Sequence, residues 1–173
     1  MKNNWIYKVF FMTFILSLIF SGISNFIANT FSEIILLIII FVVILLGIIF
    51  DMFGVAVLTS DEKIFHSMSS KRVRGAKEGV KLIKNSARIA SVFNDVIGDI
   101  CGIVSGSLSA VFTLSVVGYF DINSTVLAML ITGVTSTFTV TGKAIMKTVA
   151  VKNSDSIVLF IGKVINILSF NKK

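Results

Sequence analysis

The sequence predicts an all-α integral membrane protein, and three observations predict it. Of its 173 residues 55% are apolar and only 14% charged, with a mean hydropathy of +0.95. A water-soluble domain carries roughly 25% charged residues, so this chain lacks the polar surface to coat a globule. Residues 34–50, IILLIIIFVVILLGIIF, contain no polar side chain at all. The basic residues, finally, are confined to alternate connections between apolar stretches. The same figures exclude disorder, which needs low hydrophobicity. One cysteine, Cys101, and one histidine, His66, exclude a disulfide framework, a cysteine-cluster zinc site and a His-rich centre.

Each element follows in chain order. A bilayer core of about 30 Å needs roughly 20 apolar residues in a helix. The first span is read at about 5–28, WIYKVFFMTFILSLIFSGISNFIA. Lys2 and Lys8 followed by an apolar stretch and then Ser21, Gly22 and Ser24 also fit a cleaved signal peptide. The apolar character continues through residues 26–28, which favours a retained anchor; cleavage would leave three spans and an outside N-terminus. The second span covers about 34–58, because the run ending at Phe50 resumes after Asp51 as MFGVAVL.

Residues 61–90 are too charged to cross. Ala76, Val80 and Ile83 recur at helical spacing with Lys77, Lys81, Lys84 and Arg88 on the opposite side, an amphipathic helix with a basic face. Gly75 separates it from a first helix carrying Ile64, Phe65 and Met68. A third span is read at about 94–118 and a fourth at about 125–142. The hydroxyls of the fourth can bond back to their own helix carbonyls. Gly98, Gly102 and Gly106 form a stripe at spacing four that permits close helix packing. In the tail, Asn153 or Ser154 caps a helix through residue 170, with Ile157, Ile161, Val164, Ile165 and Leu168 as its apolar stripe. It is too short to cross and is expected at the interface.

Lys and Arg are held on the cytoplasmic side of membrane proteins. All sixteen fall in the N-terminal segment, in residues 61–90 or after the fourth span. The two other connections carry Glu33 and Asp121 instead. Four spans with both termini cytoplasmic satisfy this without exception, in the plasma membrane of the cell. The net charge of +7 is thus a topology signal and an attraction to anionic headgroups. It is not read as nucleic-acid binding, because no stacking aromatics are interleaved with the basic residues.

Asp51, Asp95 and Asp99 fall inside spans. A carboxylate in hydrocarbon needs a partner, a cation or water. Asp95 also suits the headgroup level, and Asp99 could pair with Lys143 or Lys147. At a rise of 1.5 Å per residue, Asp51 is about 12 Å from Thr59 and Asp99 about 16 Å from Arg88, a similar depth for helices entering from one side. Hydroxyls of Thr132, Ser136 and Thr139 share one face of the fourth span. Such all-oxygen surroundings suit hard cations. No nucleophile elbow, phosphate-binding loop or Cys/His pair is present, so an enzyme is not expected, nor a permanently bound cofactor.

Two stretches carry a family resemblance. FDMFGVAVLTSDEKIFHSMSSKRVRGAKEGVKLIKNSARIASV resembles the opening of the transmembrane domain of the cyclin M / CorB–CorC family, with Ala56, Ala76 and Arg88 at the family's spacing. GKAIMKTVAVKN is similar to the family's G-E-x-x-P-K-T-x-A-x-x-N element, matching at Gly142, Lys147, Thr148, Ala150 and Asn153. The resemblance divides the chain into an added N-terminal helix, residues 1–32, and a family-like domain, residues 33–173, without the nucleotide-binding CBS pair. It implies a dimeric Mg²⁺ transporter, with Mg²⁺ or Na⁺ as transported ion. Its serine pair maps to Gly47 and Asp51. Its asparagine pair maps to Asp99 and Ile103 with a two-residue shift, and to Ile97 and Cys101 without it. The metal site expected is Asp51, Asp99 and Gly47 from this mapping, joined by the hydroxyls of Thr132 and Ser136 that the spacing on the fourth span offers. Gly54, Lys143 and Met146 stand where the family has Glu, Glu and Pro. The alternative is a non-transporting subunit that dimerises or docks on another membrane protein.

Overall fold

The computed structural model describes residues 3–119 and 123–170. Lys2, Asp121, Lys172 and Lys173, which entered the orientation argument, lie outside them. Among the described residues there is no strand. Eight α-helices follow one another: α1 (Asn3–Thr30), α2 (Glu33–Thr59), α3 (Glu62–Ser70), α4 (Ala76–Lys84), α5 (Ser86–Ala90), α6 (Asp99–Val116), α7 (Ser124–Lys152) and α8 (Ser154–Phe170). A π-helical segment, Ser91–Gly98, joins α5 to α6 without a break, and a 3₁₀ turn, Val117–Tyr119, ends α6. Four helical stretches are long and apolar enough to cross a membrane: Ile6–Ser24, Glu33–Thr59, Ser86–Tyr119 and Ser124–Lys152.

Two boundaries differ from the sequence reading. The third span begins at Ser86 rather than near residue 94, because the π-helical segment keeps the backbone helical across the polar residues Asn94 and Asp95. The fourth does not stop at Gly142 but runs on to Lys152. The chain has no proline to end it, and one glycine costs a helix only about 1 kcal/mol. At 29 residues α7 is about 44 Å long, so one end projects beyond a bilayer core of about 30 Å.

The described residues form two compact units, Met1–Ile48 with Val96–Gly142, and Ile49–Asp95 with Lys143–Lys173. In the first, α1 packs on α6. Leu36, Ile40, Ile44, Val104 and Leu108 are among its buried apolar side chains, and Ser105, Ser109 and Thr113 among its buried hydroxyls. These hydroxyls donate to carbonyls of their own helix, Ser109 to Ser105 at 2.7 Å and Thr113 to Ser109 at 2.8 Å. Thr135, Thr137 and Thr139 do likewise on α7, each at 2.8 Å. Ser109 also meets Thr135 across the two helices at 3.1 Å. An interhelical bond of this kind is worth about 1 kcal/mol in a membrane. Ser109→Ala is expected to lower stability by about that amount, read as a small fall in melting temperature in detergent. Gly102 and Gly106 face open space within the chain, with nothing within 4 Å of an added Cβ. Gly98, in contrast, is buried, and its carbonyl oxygen lies 3.6 Å from a Cβ built on Gly47.

The second unit holds the amphipathic hairpin. Asp61 caps α3, accepting from the Lys63 amide at 2.8 Å. Phe65 is fully buried among Ala56, Val57, Leu82, Ile83, Ala150 and Val158. Burying such a side chain contributes about 2–3 kcal/mol. Arg72, with φ 56°, and Gly75, with φ 84°, turn the chain back into α4. Ala76, Gly79, Leu82 and Ile83 face inward while Lys77, Lys81 and Lys84 stay exposed. Asn85 ends α4, so Arg88 sits on the next helix.

α8 packs on α4, and this splits the stripe expected for the tail. Val158, Ile161 and Gly162 are buried, whereas Phe160, Val164, Ile165, Ile167 and Leu168 remain exposed. The reason is a backbone contact: a Cβ on Gly162 would overlap the Gly75 carbonyl oxygen. Only glycine allows this approach, and it turns the 158–161–162 face, not the 164–168 face, toward the hairpin.

Candidate functional site

Asp51 lies in the last third of α2, one of the least likely places to tolerate a carboxylate. It is 4% exposed. One ion pair reaches it among the described contacts: Lys147 Nζ is 3.4 Å from its Oδ2. That ammonium is near enough for Coulomb attraction but is not aligned for a hydrogen bond, so Oδ2 remains a sealed acceptor without a donor. Lys147 itself is half exposed and comes from the extension of α7 past Gly142. The sequence had offered this lysine as a partner for Asp99.

A second orphaned oxygen belongs to the same unit. Asn94 Oδ1 is sealed from solvent and has no hydrogen-bond partner. It sits against Gly54, where a Cβ would overlap it. Gly54 is three residues after Asp51, hence one turn along the same face of α2. Two sealed, donor-hungry oxygens therefore line one face. Phe50, Phe53 and Phe93 flank it, with ring centroids 5.7–6.4 Å apart. A buried acceptor left unbonded costs about 1–3 kcal/mol, and native proteins keep few of them.

Asn94 was not singled out by the sequence. Helical counting at 3.6 residues per turn assigns the polar positions of the third span to Asp95 and Asp99. The π-helical segment uses wider i→i+5 bonds, and counting at 3.6 fails across it. Asp95 is exposed and accepts from Ser91 Oγ at 2.9 Å. The available signal was the polar Asn-Asp pair inside an apolar stretch.

The other expected site residues belong to the first unit. Gly47 is buried with a Cβ position 2.9 Å from the Cys101 Cβ and 3.6 Å from the Gly98 carbonyl oxygen. Asp99 is exposed at the start of α6. Thr132 and Ser136 are exposed on α7, and the hydroxyl facing α6 is Thr135 instead. Among the described residues no three His, Cys, Asp or Glu side chains converge as metal ligands. Asp51 offers a carboxylate oxygen and Asn94 an amide oxygen, ligand types that hard cations take.

Comparison with known proteins decides the family. The family model described as the Cyclin M transmembrane N-terminal domain matches residues 37–170. The chain belongs to this family. No curated protein and no solved structure matches it. The match spans α2 to α8 and leaves α1 outside. This cyclin M domain is a multi-pass membrane domain. Its Asp51, Gly54, Asn94 and Lys147 all fall within the matched residues. Gly54→Ala in the cyclin M domain is expected to displace Asn94 while leaving the helices intact. The check is unchanged circular dichroism together with a shifted Asn94 side-chain amide resonance.

Proposed function

We propose that this cyclin M domain moves a divalent cation, Mg²⁺ in first place, across the plasma membrane, with the cation held by Asp51 and Asn94. The observation that carries this reading is the pair of sealed, donor-less oxygens, Asp51 Oδ2 and Asn94 Oδ1, on one face of a helix otherwise apolar. Lys147 serves as the resident countercharge and yields when the metal arrives. Exchange of one cation for another avoids leaving a bare carboxylate in a low-dielectric site. The distribution of lysine and arginine supports cytoplasmic termini and a cytoplasmic hairpin whose basic face meets anionic headgroups. Family membership supports a homodimer, and residues 1–32 form an added membrane anchor before the family domain.

A second reading is favoured by one observation: the Asp51–Lys147 contact already neutralises the buried charge. On this reading the domain is a non-transporting subunit and the ion pair ties α2 to α7. Purified protein in liposomes separates the two. Mg²⁺ flux, measured with a trapped indicator with and without a Na⁺ gradient, is expected on the first reading. No flux in either condition, with a stable heteromeric complex on mild extraction, would establish the second.

A further inference from the structure

We propose that the cavity beside the α3–α4 turn is a receptor for the phosphomonoester headgroup of a membrane lipid. The cavity, about 590 Å³, is lined by Ser69, Arg72, Arg74, Lys77, Glu78 and Asn166, with Val73 and Gly75 on its rim. Three cations thus face one carboxylate. That carboxylate is already engaged, since Asn166 Nδ2 donates to Glu78 Oε1 at 3.1 Å. Among the described residues neither Arg72 nor Lys77 meets a carboxylate within ion-pair distance.

The lining is held in place rather than loosely displayed. Arg74 Nε donates to Asn166 Oδ1 at 3.4 Å, which ties the guanidinium to α8. Asn166 belongs to α8, and the close approach of Gly75 to Gly162 locks that helix against the turn. Arg72 adopts a left-handed backbone, φ 56°, a conformation that side-chain-bearing residues seldom adopt. Such an outlier is compatible with a residue placed for a task. Paired guanidiniums with a nearby ammonium and hydroxyl are the chemistry that grips a phosphate with two or three free oxygens. A phosphomonoester carries close to two negative charges at neutral pH, matching the surplus of cations better than a diester does.

The surroundings select a lipid over a free anion. Val73 is exposed on the cavity rim, and Ile165 and Ile167, which flank Asn166 in the chain, are exposed on α8. Phe160, Val164 and Leu168 extend the exposed apolar surface along α8. A soluble phosphate has no use for that surface, whereas a lipid offers acyl chains to cover it. The proposal is independent of the cation site, since none of its residues touches Asp51 or Asn94.

The test uses the full chain in phosphatidylcholine nanodiscs. Short-chain phosphatidic acid, short-chain phosphatidylglycerol and glycerol 3-phosphate are titrated separately by calorimetry. Phosphatidic acid is expected to bind at least tenfold more tightly than either other probe. Arg72→Gln with Arg74→Gln should weaken it tenfold or more, while Lys81→Gln with Lys152→Gln, an equal loss of charge outside the cavity, should not. Equal binding of glycerol 3-phosphate would keep the phosphate receptor but overturn the lipid assignment. Equal weakening by both double variants would replace the cavity with diffuse surface charge, and absence of binding by any probe would remove the proposal altogether. Retained elution volume and helicity of the double variant show that weaker binding is not unfolding.

Discussion

Asp51→Asn is expected to lower Mg²⁺ flux in proteoliposomes at least tenfold without unfolding the domain. The substitution keeps the shape of the side chain and removes its charge. Loss of about 1.4 kcal/mol of cation binding is already tenfold, and a carboxylate–metal contact sealed from water contributes more than that. Lys147→Met should act in the opposite direction on affinity. Without the ammonium 3.4 Å from Oδ2, an incoming cation no longer competes with a tethered one, so half-saturation should fall to lower Mg²⁺. Release should slow for the same reason, and maximal flux with it. The reading of Asp51 as a purely structural partner makes different forecasts. Both variants would then unfold more easily, by about 1–2 kcal/mol, since Lys147 is half exposed and water screens the pair, and neither would shift the Mg²⁺ dependence. Asp99→Asn completes the set: an unchanged flux would restrict the site to Asp51 and Asn94.

The second large effect is expected at Gly162. Valine there forces its Cβ into the Gly75 carbonyl oxygen and to within 3.3 Å of the Gly79 nitrogen. Both obstacles are backbone, so no side-chain rotation relieves them. Overpacking of this kind costs about 1–3 kcal/mol, and α8 should part from α4 rather than accommodate it. Trypsin reports the outcome, because Arg72 and Arg74 lie on the turn whose backbone α8 holds at Gly75, and cleavage needs that backbone to loosen. Faster cleavage of Gly162→Val than of the original chain is expected. Val164→Leu, on the exposed face of α8, should leave cleavage unchanged. Resistance retained in Gly162→Val would show that α4 and α8 are not held by this contact.

Composition and periodicity were enough for the helical membrane class, the four spans and the two-part hairpin. Long apolar runs have no other stable arrangement in lipid, where every backbone group must bond within its own helix. Asp51 was legible for the same reason: a lone acid in such a run has to be explained. Asn94 was not, because its inward turn depends on a π-helical segment that 3.6-residue counting cannot anticipate. Lys147 was assigned to the tail beyond the fourth span, because Gly142 looked like an end and nothing local says that α7 continues. The tail stripe is divided between two environments, with Ile161 packed inside the unit and Val164, Ile165 and Leu168 exposed. Its apolar residues are all suitable for burial, and the choice among them was made by the one position, Gly162, where two backbones can touch. Local chemistry therefore determines which segments are helices and which residues prefer oil or water. Which of two comparable faces is covered, and which oxygen is left without a donor, depends on partners distant in the chain, and only the packed structure brings those together.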